Sequence, residues 1–126
     1  MQTKHILVVD DEEPLRFALR EFLTNAGFEV ECAEELEEAQ ALLSNRHFDA
    51  VVVDLKLTPI QGAEGLQVIT FIRERALPTR IVVLTAADNP AIMREALRLG
   101  VDAFMQKPAR LALLAKTIRQ VTGETP

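Results

Sequence analysis

A chain of 126 residues with 48% hydrophobic and 26% charged residues has the size and composition of one globular domain with its own core. Its net charge of −5 makes it a poor candidate for coating nucleic acid, and its lone cysteine, Cys32, excludes an internal disulfide framework. The longest apolar runs, such as Ile6-Leu7-Val8-Val9, are far too short to span a bilayer, and no leader pattern opens the chain, which predicts a cytoplasmic protein with no membrane partner.

In chain order, short apolar runs alternate with helical patterns. The first run, His5–Val9, is followed by a stripe of Leu15, Ala18, Leu19, Phe22 and Leu23 at helical spacing, and then by Gly27, placed where a left-handed helix end is expected. The second run, Phe28–Cys32, alternates apolar and polar residues, which suits an edge strand with one wet face; Cys32 there reads as a small buried hydrophobe. Leu36, Ala39 and Leu43 make the second helical stripe. The third run, Ala50–Val53, is unbroken and mostly β-branched, as strands covered on both faces are. A long connection over residues 55–63 leads to a third stripe at Leu66, Ile69 and Ile72, and loops of that length are often functional. The fourth run, Arg80–Leu84, precedes Asn89-Pro90, which reads as a helix cap followed by proline at the first helical position. Ile92, Ala96 and Leu99 make the fourth stripe, Gly100 follows it, Val101–Met105 is the fifth run, and Leu111, Leu114, Ala115, Ile118 and Val121 form the last stripe.

Five βα units with right-handed crossovers predict an α/β domain, doubly wound in three layers around a parallel sheet. One domain is expected over residues 1–122, with 123–126 a tail or the start of a linker. Charge is unevenly spread. Residues 1–63 hold 5 Lys/Arg and 13 Asp/Glu (−8), residues 64–126 hold 9 and 6 (+3), and the basic excess at Arg94, Arg98, Arg110, Lys116 and Arg119 reads first as a solvated face and second as a surface for a partner or for a second copy.

In an open parallel sheet, ligands bind beyond the carboxyl ends of the strands, where strand order reverses. The first strand ends in Asp10-Asp11, the third in Asp54 and the fourth in Thr85, and the fifth is followed by Lys107. Carboxylates gathered in a cleft call for a cation, and an all-oxygen donor set selects a hard one, Mg²⁺ before others. Lys107 supplies a second positive charge and Thr85 a hydroxyl donor, so a carboxylate at Asp54 would be a nucleophile facing charge already in place for phosphoryl transfer. Glu12 and Glu13 read as acids favouring the positive end of the first helix. His5 and His47 have no partner at ligand or triad spacing and are assigned to structure.

The segments VVDDEEPLR, VVVDLKL, VVLTA and GVDAFMQKP, in this order and at these separations, resemble the signatures of response-regulator receiver domains, over residues 4–121. The resemblance implies a flavodoxin-like sheet in the order 2-1-3-4-5. It implies that Asp54 accepts a phosphoryl group from a sensor histidine kinase, a phosphotransfer domain or a small acyl phosphate, and that the domain otherwise catalyses only its own dephosphorylation. It implies Mg²⁺ (with Mn²⁺ able to substitute) held by Asp10, Asp11, Asp54 and the backbone carbonyl of Lys56. Thr85 and Phe104 match the family's switch pair, although a phenylalanine there is on general grounds a core residue. Lys107-Pro108 is implied to be cis, and Lys56 and Ala87 occupy positions that tune phosphoryl lifetime. The relay would run through the face of the fourth helix, fifth strand and fifth helix to an unknown output domain or protein, with homodimerisation through that face as one form and no direct nucleic-acid binding. One stretch departs from the pattern: proline comes one residue late at Pro59, and Gly65, expected before the third helix, comes several residues late, which indicates a short insertion. The rival reading is a pseudo-receiver that signals by binding alone, without phosphate. A turnover phosphatase is disfavoured, because no Asp-x-Asp nucleophile pattern stands on the first strand.

Overall fold

In a computed structural model, residues 3–55, 64–86 and 89–123 are described. Strands β1 (His5–Val9), β2 (Glu29–Ala33), β3 (Ala50–Val53), β4 (Arg80–Thr85) and β5 (Ala103–Gln106) alternate with helices α1 (Glu13–Asn25), α2 (Leu36–Asn45), α3 (Glu64–Glu74), α4 (Pro90–Arg98) and α5 (Leu111–Val121). All pairings are parallel, and the strand order is β2-β1-β3-β4-β5. The flavodoxin-like order expected above is the one observed.

Period-2 alternation in the strands divides the core in two. Leu7, Val9, Val51, Val53, Ile81 and Val83 point to one face and pack with Ala39, Leu43, Val68, Ile69, Ile72 and Ala96 of α2, α3 and α4. Their neighbours Ile6, Val8, Ala50, Val52, Val82 and Leu84 point to the other and pack with Leu19, Leu23, Leu114, Ala115 and Ile118 of α1 and α5. That is why β1, β3 and β4 are unbroken apolar runs while β2, at the edge, is only partly covered. Cys32 lies half-buried on that edge strand, packed against the α1–α5 side, and burial pushes its thiol pKa up.

Two strand starts fall later than the apolar pattern suggests, each for a local reason. Phe28 donates its backbone N–H to Leu23 O (3.0 Å), closing the end of α1 around Gly27 at φ +101, so β2 begins one residue on. The Asp102 carboxylate accepts the Ile81 N–H at 2.8 Å, a bond that a regular strand carbonyl would otherwise take, and β5 begins only at Ala103. The Asn89 cap is as expected: its side chain accepts from the N–H groups of Ala91 and Ile92, with Pro90 opening α4. At the far end of α4, Arg73 from the last turn of α3 donates to the carbonyl oxygens of Leu99 (2.9 Å) and Gly100. Lys107-Pro108 is cis. No helix among the described residues is long and apolar enough to cross a membrane.

Candidate functional site

The site forms where the sheet order reverses. β1 pairs with β2 on one side and with β3 on the other, so the chain leaves the ends of β1 and β3 into a common crevice. Asp10 and Asp54 are the residues that follow those strands, fixed by their backbone N–H groups on Ala33 O and Val9 O, both at 3.1 Å. Thr85 ends β4, and Lys107 follows β5, its N–H donating to Thr85 O at 3.0 Å. Asp10, Asp54 and Thr85 are buried. Each is therefore delivered by a strand that is buried from its second residue onward or throughout.

Side-chain geometry ties these residues into one cluster. The Thr85 hydroxyl donates to Asp54 Oδ1 at 2.5 Å. The Lys107 ammonium lies 2.9 Å from Asp54 Oδ2 and 2.9 Å from Asp10 Oδ2, and it also meets the Glu12 carboxylate. Asp10 Oδ1 accepts the Glu12 backbone N–H at 2.9 Å. Carboxylate oxygens of Asp10, Asp11, Glu12 and Asp54 lie within 4.8 Å of one another. Burial pushes the Asp10 pKa up, partly opposed by the Glu12 N–H and by Lys107 and reinforced by the Asp54 charge; burial also raises Asp11. Burial alone would lower Lys107, but its bonds to Glu12, Asp54 and Asp10 outweigh that and hold the ammonium well above the ordinary lysine range.

With all groups ionised, four carboxylates against the Lys107 ammonium leave three negative charges within this small volume. A divalent cation offsets two of them. The donor set is entirely oxygen, with neither sulfur nor imidazole among the grouped ligands, so the residues present fit a hard cation such as Mg²⁺.

Of the residues singled out from sequence, Asp10, Asp11, Asp54, Thr85 and Lys107 converge. Phe104 sits apart, half-buried on β5 and packed against the α2–α3–α4 side of the core. It pairs in register with Val83, two residues before the Thr85–Gln106 pair. Lys56, Ala87 and most of the 55–63 connection lie outside the described residues. His5 and His47 pair with Glu29 and Asp49 at 3.0 and 3.2 Å, consistent with their structural assignment.

Two expectations need correction. Glu12 occupies the N-cap position of α1, but its side chain makes no capping bond there; the Lys107 ammonium is a full charge, whereas the helix end offers a fractional one. Gly65 does not precede the third helix but lies within its first turn. A Cβ at Gly65 would stand 2.0 Å from Asp54 O and 2.5 Å from Leu55 Cα, so α3 begins in direct contact with the backbone of Asp54, and only glycine permits that approach. Arg16 is a further residue that sequence reasoning passed over. It donates to the Asp10 carbonyl at 2.8 Å and reaches Glu34 at 3.4 Å, fastening α1 to the end of β1. An arginine three residues after Glu13 on a helix carries no sequence signal that distinguishes it from a solvated one.

The family model for the response regulator receiver domain matches residues 6–119. The chain belongs to that family. The response regulator MprA of Mycobacterium sp. (strain KMS) is 35% identical over 120 residues, covering 95% of this chain and 51% of its own length. The solved receiver domain of a CheY-like response regulator from Methanospirillum hungatei JF-1 matches with a TM-score of 0.87 at 25% identity, over 96% of this chain and 94% of that one. A response regulator from Burkholderia pseudomallei, solved with a phosphorylated aspartic acid, a calcium ion and citrate, matches with a TM-score of 0.80 at 28% identity, over 94% of this chain and 68% of that one. The chain spans 17% and 51% of the first curated relatives' lengths. It is a receiver domain, a module consistent with two-component signalling.

Proposed function

We propose that this receiver domain is a phosphorylation-dependent switch whose acceptor is Asp54. One observation carries the reading: Asp54 is buried at the end of β3 with Oδ1 on the Thr85 hydroxyl and Oδ2 on the Lys107 ammonium. Both are groups that can follow a phosphoryl group once it replaces negative charge on the carboxylate. The phosphorylated aspartic acid in the similar Burkholderia pseudomallei structure supports the assignment.

In the reaction, an Asp54 carboxylate oxygen forms a bond to the phosphorus of a phosphohistidine on a sensor kinase or phosphotransfer domain, or of an acyl phosphate, and the donor's bond to phosphorus breaks. Asp10, Asp11, Asp54 and the Lys56 carbonyl would hold Mg²⁺ (or Mn²⁺), which supplies positive charge to the transferring oxygens. Lys107 meets the same charge from the other side. Hydrolysis resets the site, and the domain acts on no other substrate. Thr85 leaves its bond to the carboxylate for a phosphoryl oxygen, Phe104 repacks, and the α4-β5-α5 face relays the change to an output domain or protein, with self-association through that face as one form of it. The receiver unit is residues 1–122 and the cytoplasm its place of action.

Intact mass after incubation with acetyl phosphate tests the reading. A phosphoryl adduct that requires Mg²⁺, is lost with hydroxylamine and is absent from Asp54→Asn is the expected result. A folded parent that gains no mass would point instead to a phosphate-independent interaction module.

A further inference from the structure

Lys107 has three N–H donors, and each faces a different carboxylate: Asp10 Oδ2, Asp54 Oδ2 and Glu12. These partners are not equivalent. The side chains of Asp10 and Asp54 are 4% and 8% exposed, whereas Glu12 is 58% exposed. Asp10 and Asp54 therefore take the inward N–H groups, and Glu12 takes the one that faces solvent. A phosphoryl donor also arrives from solvent, and it meets Lys107 on that side.

We propose that Glu12 is a positioning residue that occupies, as an internal anion, the place on Lys107 an incoming phosphoryl oxygen must take. The inference rests on the phosphoacceptor reading and adds to it a residue that sets how readily Asp54 is phosphorylated. For the donor's phosphorus to reach Asp54, with the new oxygen–phosphorus bond forming and acetate departing with the electron pair of the broken bond, the Glu12–Lys107 contact opens first. Because the Glu12 side chain is largely exposed, its contact resembles a surface ion pair in strength, so its removal is worth a factor of about three in rate.

Glu12→Gln removes the charge, and Glu12→Asp keeps the charge but shortens the reach by about 1.5 Å, one carbon–carbon bond. Glu13→Gln removes the neighbouring charge in the sequence, which lies in the first turn of α1. The second-order rate constant for acyl phosphate formation from acetyl phosphate is measured at saturating Mg²⁺ for each protein. Reductive methylation of Lys107, relative to exposed Lys116, is followed by mass spectrometry on the metal-free proteins. The expected result is a rise of about threefold in the rate constant for both Glu12 variants, with faster methylation of Lys107, and neither effect in Glu13→Gln. A labelled parent with Glu12→Gln no faster overturns the placeholder. Glu12→Asp behaving as the parent while Glu12→Gln gains would assign the effect to general charge and equally overturn it. A parent that takes no phosphoryl group would overturn the phosphoacceptor reading itself, and this inference with it.

Discussion

Replacing Gly65 by alanine should be far more damaging than its place in the first turn of a helix suggests. On propensity alone, alanine would stabilise α3 by about 1 kcal/mol. Its Cβ, however, would lie 2.0 Å from Asp54 O, 2.5 Å from Leu55 Cα and 2.8 Å from Asp54 C, where side-chain carbons do not approach closer than 3.0 Å. Every colliding atom is backbone, so no rotamer change relieves the clash, and α3 must move off by an ångström or Asp54 must shift. Overpacking of this kind costs about 1–3 kcal/mol and more where the neighbours are rigid, so the net loss should be about 2 kcal/mol after the helix gain. Urea unfolding reads that loss as a lower midpoint at unchanged slope. The same displacement moves the Asp54 carboxylate relative to Thr85 and Lys107, so acetyl phosphate labelling should fall in the folded fraction as well. A Gly65→Ala protein as stable as the parent or more so would refute the argument, since it would mean that propensity governs this position and the contact with Asp54 does not exist.

Asp49 accepts the His5 N–H at 2.8 Å and pairs with His47; burial opposes its ionisation, but these bonds and the Lys4 charge prevail and hold its pKa below the ordinary aspartate range. Its contribution to stability is thus present above the unfolded aspartate value and is lost as pH falls through the lower folded value, so Asp49→Asn should flatten the acid limb of the stability–pH curve, and an unchanged limb would count against the pairing. Asn89→Ala deletes the acceptor for Ala91 and Ile92 N–H and should cost about 1 kcal/mol in chemical denaturation; a neutral result would mean that solvent serves those groups equally well. Lys107→Met leaves the buried Asp10 and Asp54 carboxylates without their ammonium and should destabilise the metal-free protein by about 3 kcal/mol, with Mg²⁺ restoring much of it. Equal melting of variant and parent without metal would contradict that role for Lys107. In the parent, Mg²⁺ at a hundredfold excess over its Kd should raise stability by about 2.7 kcal/mol, and a melting temperature indifferent to Mg²⁺ would remove the metal from the site.

Much of this arrangement is legible in the sequence. Runs such as Ala50–Val53 announce a doubly covered strand because both of its faces must be apolar, and the residue after such a run must lie at the rim of the sheet; that is how Asp10, Asp54, Thr85 and Lys107 could be gathered from sequence. Glu12 could not be, because its partner lies 95 residues away and a helix-opening acid already has a sufficient local explanation. Gly65 was legible as an oddity of spacing but not as a contact, since the approach of α3 to Asp54 depends on the path of two backbones. The late starts of β2 and β5 depend on single hydrogen bonds at Phe28 and Asp102, which leave no trace in apolar periodicity.

Arg73 ties the last turn of α3 to the carbonyl end of α4, and Gly65 sets the first turn of α3 against the carbonyl of Asp54. Both belong to the 11-residue helix α3, and the eight residue steps between them make about 12 Å of stiff rod. Whatever displaces the Asp54 carbonyl pushes one end of that rod, and the other end cannot yield without stripping donors from α4. Asp54 and the far end of the fourth helix are therefore joined by a strut, through which a displacement of one end bears on the other.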